Sequence, residues 1–251
     1  MRFGCLCRVT EMTAVADAGY DFGETEADVL YPGLEEEAFR RAREALRTEP
    51  LFPEVVQATE LLHCTMAARE RSGRVMGDLD VRTVFRRAAM VGAKVVVVTA
   101  PGYDALQRFN GQAKAWREAT EAIGLLGEQA ARCGLSVAVA PRTDAGGLAT
   151  TIDEVWVLSE EVGHPAVGVS ADVSTIADWA DMAATDLALK HVHLPLPGRF
   201  GGEFSTERCL EALGALREFG YGGRVSVSAE WSTFADRAAE LLEEMRAVAG
   251  G

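Results

Sequence analysis

Short apolar runs alternate along the chain with longer stretches in which apolar residues recur at helical spacing. "RFGCLC" (2–7) opens as a strand, and "AGYDFGE" (18–24) supplies a second after a short, poorly formed helical stretch. "GLEEEAFRRAREALR" (33–47) predicts a helix, with acidic residues in its first turn and basic ones later, as the helix dipole favours. "EVVQATELLH" (54–63) fits either element; because helical patterns flank it, it is read as the third strand. "VRTVFRRAAMVG" (81–92) predicts a helix ending at Gly92, and "AKVVVVTAP" (93–101) a β-branched strand buried on both faces. Helix 111–134, strand 135–141, helix 151–163 and strand 166–173 follow. The last units are strand 189–195, helix 205–220, strand 224–231 and helix 233–250.

That makes eight strands, each followed by a helix or by something in its place, with no Pro/Gly/Ser-rich linker between halves. The pattern predicts one domain over 1–251, an α/β fold of the (β/α)8 or TIM-barrel type, irregular in its first units. A doubly wound sheet would carry a Gly-rich phosphate loop after an early strand, and none is present.

Composition narrows the partners. A net charge of −13 argues against a nucleic-acid binder, which needs a basic face. The five cysteines include no C-x-x-C pair, so reduced, mostly buried thiols are expected rather than a zinc or redox motif. No run approaches a membrane span and the first residues lack a signal-peptide pattern, so the expectation is a cytoplasmic protein with no membrane partner.

In a TIM barrel the chemistry lies at the C-terminal ends of the strands. Polar residues read there are Glu24 and Glu26 after strand two, His63 after strand three, Arg142 after strand five and Asp172 after strand six. His191 and His193 share a face of strand seven, and Glu230 ends strand eight. Asp172, His193 and Glu230 would be neighbours around the mouth, a plausible ligand set for Mn, Mg, Zn or Co. Each residue also has a plainer reading: Asp172 as a cap for the turn at Ser174, His63 and His191 as core histidines, Arg142 as a surface partner of Asp144.

The stretches "AGYDFGE", "GAKVVVVTAP", "EQAARCGLSVAVAP", "EEVGHPAVGVSADVST", "KHVHL" and "FGYGGRVSVSAEW" together resemble the xylose isomerase-like TIM barrels. That superfamily includes sugar phosphate isomerases/epimerases and the family 2 AP endonucleases; a nuclease fits poorly with only four histidines. The resemblance implies a divalent metal held by Glu on strand five, Asp on six, His on seven and Glu on eight. Asp172 and His193 match two of these positions, Arg199 falls where relatives place a substrate-binding arginine, and Glu24 matches a glutamate common after strand two.

The departures bear on chemistry. Ala140 stands at the strand-five glutamate, Thr175 at a histidine after the aspartate, and Ser228 at the strand-eight glutamate, with Glu230 one pleat further on. Two-base epimerisation is hard to sustain without the strand-five group, whereas one-base enolisation or dehydration is not. The expected function is a sugar isomerase/epimerase-like enzyme of carbohydrate metabolism acting on a small keto-sugar, polyol or sugar-derived metabolite. Glu230, His193 and His63 are the catalytic candidates; Arg142, Arg199, Glu24, His191 and Trp231 are the substrate-binding ones. Two alternatives stand beside it: a metal-free lyase or isomerase, with Arg142 supplying charge, and a non-catalytic barrel serving as a binding or partner subunit. Barrels of this kind are often homo-oligomers.

Overall fold

A computed structural model describes residues 1–30, 35–72, 81–142, 146–176, 188–196 and 205–250. Eight strands close into a parallel barrel in sequence order: β1 (Arg2–Leu6), β2 (Phe22–Glu26), β3 (Pro53–Gln57), β4 (Val95–Thr99), β5 (Ser136–Ala140), β6 (Val167–Asp172), β7 (Leu189–Pro195) and β8 (Arg224–Ser228). β8 pairs with β1, Val225 opposite Phe3, so the sheet has no free edge. The described helices are α1 (Met12–Asp17), α2 (Glu36–Thr48), α3 (Leu61–Ser72), α4 (Val81–Val91), α5 (Tyr103–Arg108), α6 (Gln112–Arg132), α7 (Ile152–Val162), α8 (Thr206–Glu218) and α9 (Ala238–Gly250).

The expected barrel is therefore present, and its first units close normally although α1 is only 6 residues long. The third unit needs correction. The run 54–63 is not one strand: β3 stops at Gln57, and Leu61 and Leu62 belong to α3, buried there with Thr65, Met66, Ala67 and Ala68. Apolar residues of two periods abut across Ala58–Thr59–Glu60, so the run reads as continuous. α5 was not anticipated.

Alternation along the strands sorts the side chains into two cores. Outward residues such as Phe3, Cys5, Val56, Val96, Val98 and Val192 join the main cluster, which includes buried residues of every described helix except α5. Inward residues on β2–β5, namely Phe22, Val55, Val95, Val97 and Ala138, form a separate apolar cluster inside the barrel, with Ala140 packed against it. Inward positions of β6–β8 include the buried Ser170, His191, His193, Ser226 and Ser228 and, level with His193, the part-buried Asp172.

Two register shifts set this arrangement. Between β2 and β3 the partners jump from Gly23–Pro53 to Glu24–Val55, bulging Glu54; between β6 and β7 they jump from Val169–Leu189 to Ser170–His191, bulging Lys190. Glu54 then binds Arg2 at 2.8 Å and Arg224 at 2.7 Å across the N-terminal end of the barrel. Inside, Gly4 matters because a Cβ there would land on the Phe22 ring. Gly4→Ala is expected to cost about 1–3 kcal/mol through forced repacking, read as a lower urea midpoint with an unchanged slope.

Candidate active site inside the barrel

Glu24 is the third residue of β2, inside the strand rather than after it, and is fully buried. Parallel pairing and alternation aim it into the barrel with Phe22 and Glu26. Its carboxylate reaches the histidines of β7: Oε1 lies 2.7 Å from His193 Nε2 and Oε2 lies 3.0 Å from His191 Nε2. Gln57 Nε2, on the inward face of β3, donates to the same Oε1 at 2.8 Å. The two imidazoles meet edge to face, with centroids 4.5 Å apart. A carboxylate can only accept, so both Nε2 atoms carry protons in this arrangement.

Burial by itself raises the Glu24 carboxyl, but interaction with His193, then His191, together with their hydrogen bonds, holds it well below its ordinary 4.5. Burial is also the largest influence on His191 and lowers it from 6.5, while Glu24 pulls the other way. Burial thus disfavours a charge on His191, while the two histidines favour one on Glu24. His193 differs in access: it is 8% exposed against 0% for Glu24 and His191, so it is the member nearest the mouth.

The other sequence candidates are placed as follows. Asp172 Oδ1 accepts from Ser174 N at 2.9 Å and Ser174 Oγ at 2.6 Å, capping the short turn 173–175. β8 ends at Ser228, so Glu230 does not end the strand; it is exposed and precedes a turn at Trp231–Thr233. His63 is not at a strand end but in the first turn of α3, half-buried. Trp231 packs edge-on against Phe234 at 5.3 Å. Arg142 follows β5 at the mouth, donates through Nε to Ala100 O at 2.8 Å and lies 3.8 Å from Glu60. Arg199 and Asp144 lie outside the described residues. His164 accepts from Ala166 N in its loop, a structural role. Sequence reasoning missed Gln57 and the pairing of Glu24 with both histidines; the available signal was a glutamate alternating with Phe22 inside a strand.

Glu24, His191 and His193 form a group that could hold a metal ion, their donor atoms all within 4.8 Å of one another; it is the one such group found among the described residues. Two imidazoles and a carboxylate suit a divalent first-row ion. At ordinary bond lengths tetrahedral ligand atoms sit roughly 3.3–3.6 Å apart, so the present contacts of 2.7 and 3.0 Å would have to open by about 0.3–0.9 Å. The donor set fits.

The closed parallel barrel with polar side chains at its centre defines a TIM-barrel protein. A family model described as xylose isomerase-like TIM barrel matches residues 12–249, and the chain belongs to that family. No curated protein matches the sequence. Similar solved structures include D-psicose 3-epimerase from Clostridium cellulolyticum H10, solved with D-tagatose (14% identity, 99% of each chain, TM-score 0.75). A D-tagatose 3-epimerase-like protein is 19% identical over 100% of this chain and 98% of that one, TM-score 0.74. The IolI protein with a bound zinc atom is 15% identical over 100% and 98%, TM-score 0.71. At these identities the likeness is one of fold.

Removing the buried charge tests the electrostatics. Glu24→Gln keeps the shape and is expected to lower stability at neutral pH by about 1–3 kcal/mol. Because the folded carboxyl lies below its ordinary 4.5, its contribution is complete above that value and is lost as pH falls through the folded one. Urea midpoints of wild type and variant should therefore converge only in strong acid.

Proposed function

We propose that the chain is a sugar isomerase/epimerase-like enzyme that moves a proton beside the carbonyl of a small keto-sugar or polyol-derived substrate. The observation that carries this is the buried Glu24 carboxylate holding His193 by a 2.7 Å hydrogen bond at the inner edge of the mouth. A buried charge that mere stability does not require is a common mark of a functional site. The 3-epimerase and 3-epimerase-like structures of the same fold support the substrate class.

Glu24 is enclosed and does not touch substrate; it is a positioning residue. The hydrogen bond to Glu24 fixes the orientation of the His193 ring at the mouth. His193 is the base that takes the proton from the carbon next to the carbonyl, and the positive charge it gains faces Glu24. In an isomerisation His193 returns the proton to the former carbonyl carbon while the hydroxyl proton of the first carbon passes to the enolate oxygen; in a dehydration it protonates the departing hydroxyl, which leaves as water. Arg142 at the mouth supplies positive charge for the enolate oxygen or a substrate carboxylate. Ala140 can neither donate nor accept, which favours one-base isomerisation or dehydration over two-base epimerisation.

A second reading rests on the donor group itself: a divalent ion on Glu24, His191 and His193 would polarise a substrate carbonyl as a Lewis acid. The ion and the Nε2 protons exclude each other, so the two readings separate by experiment. Solvent-deuterium exchange into a panel of three- to six-carbon ketoses, followed by NMR in chelator-treated protein, is expected to label the carbon beside the carbonyl. Labelling should fall at least about 100-fold in His193→Gln and persist in Asp172→Asn and Glu230→Gln. Exchange unaffected by His193→Gln would sink the one-base assignment. Exchange that needs added metal, bound at one ion per chain and lost in His191→Ala, would establish the second reading.

A further inference from the structure

Three buried side-chain atoms inside the barrel have no protein partner: His191 Nδ1, Ser170 Oγ and Ser226 Oγ. All three residues are 0% exposed. They lie on adjacent strands and on the inward face. Ser170 is the direct strand partner of His191, and Ser226 is the partner of His193, one inward position above Arg224, which itself pairs with His191. Ser170 is thus level with His191 on one side, and on the other Ser226 lies one inward position above its level.

Each such group costs about 1–3 kcal/mol if nothing satisfies it. Three of them in one compartment are hard to reconcile with a stable barrel unless they share a partner. Among the described residues none of the three bonds to another, and a bridging water serves groups left unpaired in this way. An enclosed water typically makes about three hydrogen bonds to buried polar groups. Hydroxyls both donate and accept, which leaves a water free to direct one hydrogen at the ring.

We propose that Ser170, His191 and Ser226 enclose an internal water molecule that donates to His191 Nδ1 and so fixes the Nε2–H tautomer that holds Glu24. Ser170 and Ser226 are then positioning residues. They anchor the water, the water orients His191, and His191 pins Oε2 of Glu24 so that Oε1 faces His193. The same water, turned round, accepts from an Nδ1–H and serves the ring equally well when Nε2 is a metal ligand, since ligating histidines ordinarily donate their other N–H. The inference concerns the support of the cluster and holds whichever reaction the mouth performs.

A high-resolution crystal structure of the full chain tests the site. Ordered density within hydrogen-bond distance of His191 Nδ1 and of at least one of the two hydroxyls is expected. Absence of density there, or a serine hydroxyl bonded straight to Nδ1, overturns the proposal. Nitrogen-15 ring spectra of metal-stripped protein test the tautomer. Wild-type His191 should be a single Nε2–H form with a hydrogen-bonded Nδ1, and Ser170→Ala/Ser226→Ala should move Nδ1 toward its unbonded shift and admit the other tautomer. An Nδ1–H ring in wild type, or a double variant with unchanged ring shifts, refutes it. The crystal experiment uses the unaltered chain, so an unstable variant does not shield the proposal.

Discussion

An ionised carboxylate inside a barrel is an unfavourable object, and the arrangement around Glu24 answers that cost with three hydrogen bonds. His193 and Gln57 share one oxygen and His191 takes the other. The surrounding interior follows from this: strands β6–β8 turn serines and histidines inward, while β2–β5 turn Phe22 and valines inward. The bulge at Lys190 brings His191 level with Ser170, and the bulge at Glu54 brings Val55 level with Glu24. Below them, Glu54 joins Arg2 and Arg224 and closes the N-terminal end, so access to the centre is from the C-terminal mouth.

The fold was largely legible because barrel strands announce themselves. "VVVV" at 95–98 and the run 189–195 each carry enough apolar residues for burial on both faces, and β7 spans the expected 189–195. The helices around α6 and α7 end at glycines with positive φ, Gly134 at 68° and Gly163 at 59°, which fixed their C-termini from sequence. The third unit misled because a strand and a helix meet across a junction of only three residues, Ala58–Thr59–Glu60, with no Gly or Pro. That error moved His63 from a strand end onto α3.

The site was half legible. Counting strands put His191 and His193 on the inward face of strand seven. What counting could not give was their partner, because Glu24 lies 169 positions from His193 in the chain and contact across a barrel leaves no local pattern. The family resemblance directed attention to Asp172 and Glu230. In the structure Asp172 caps a turn through Ser174, and Glu230 is exposed beyond the end of β8. Ala140 and Ser228, read from the sequence as losses, occupy inward strand positions where a carboxylate would otherwise enlarge the negative charge around Glu24.

The account's centre is that the barrel holds Glu24 as an anion hydrogen-bonded by His191, His193 and Gln57. The direct measurement is an infrared difference spectrum between metal-stripped wild type and Glu24→Gln at neutral pH. The account predicts that wild type shows the paired stretches of an ionised carboxylate, absent in the variant. A protonated carboxylic carbonyl band assigned to Glu24 would contradict it.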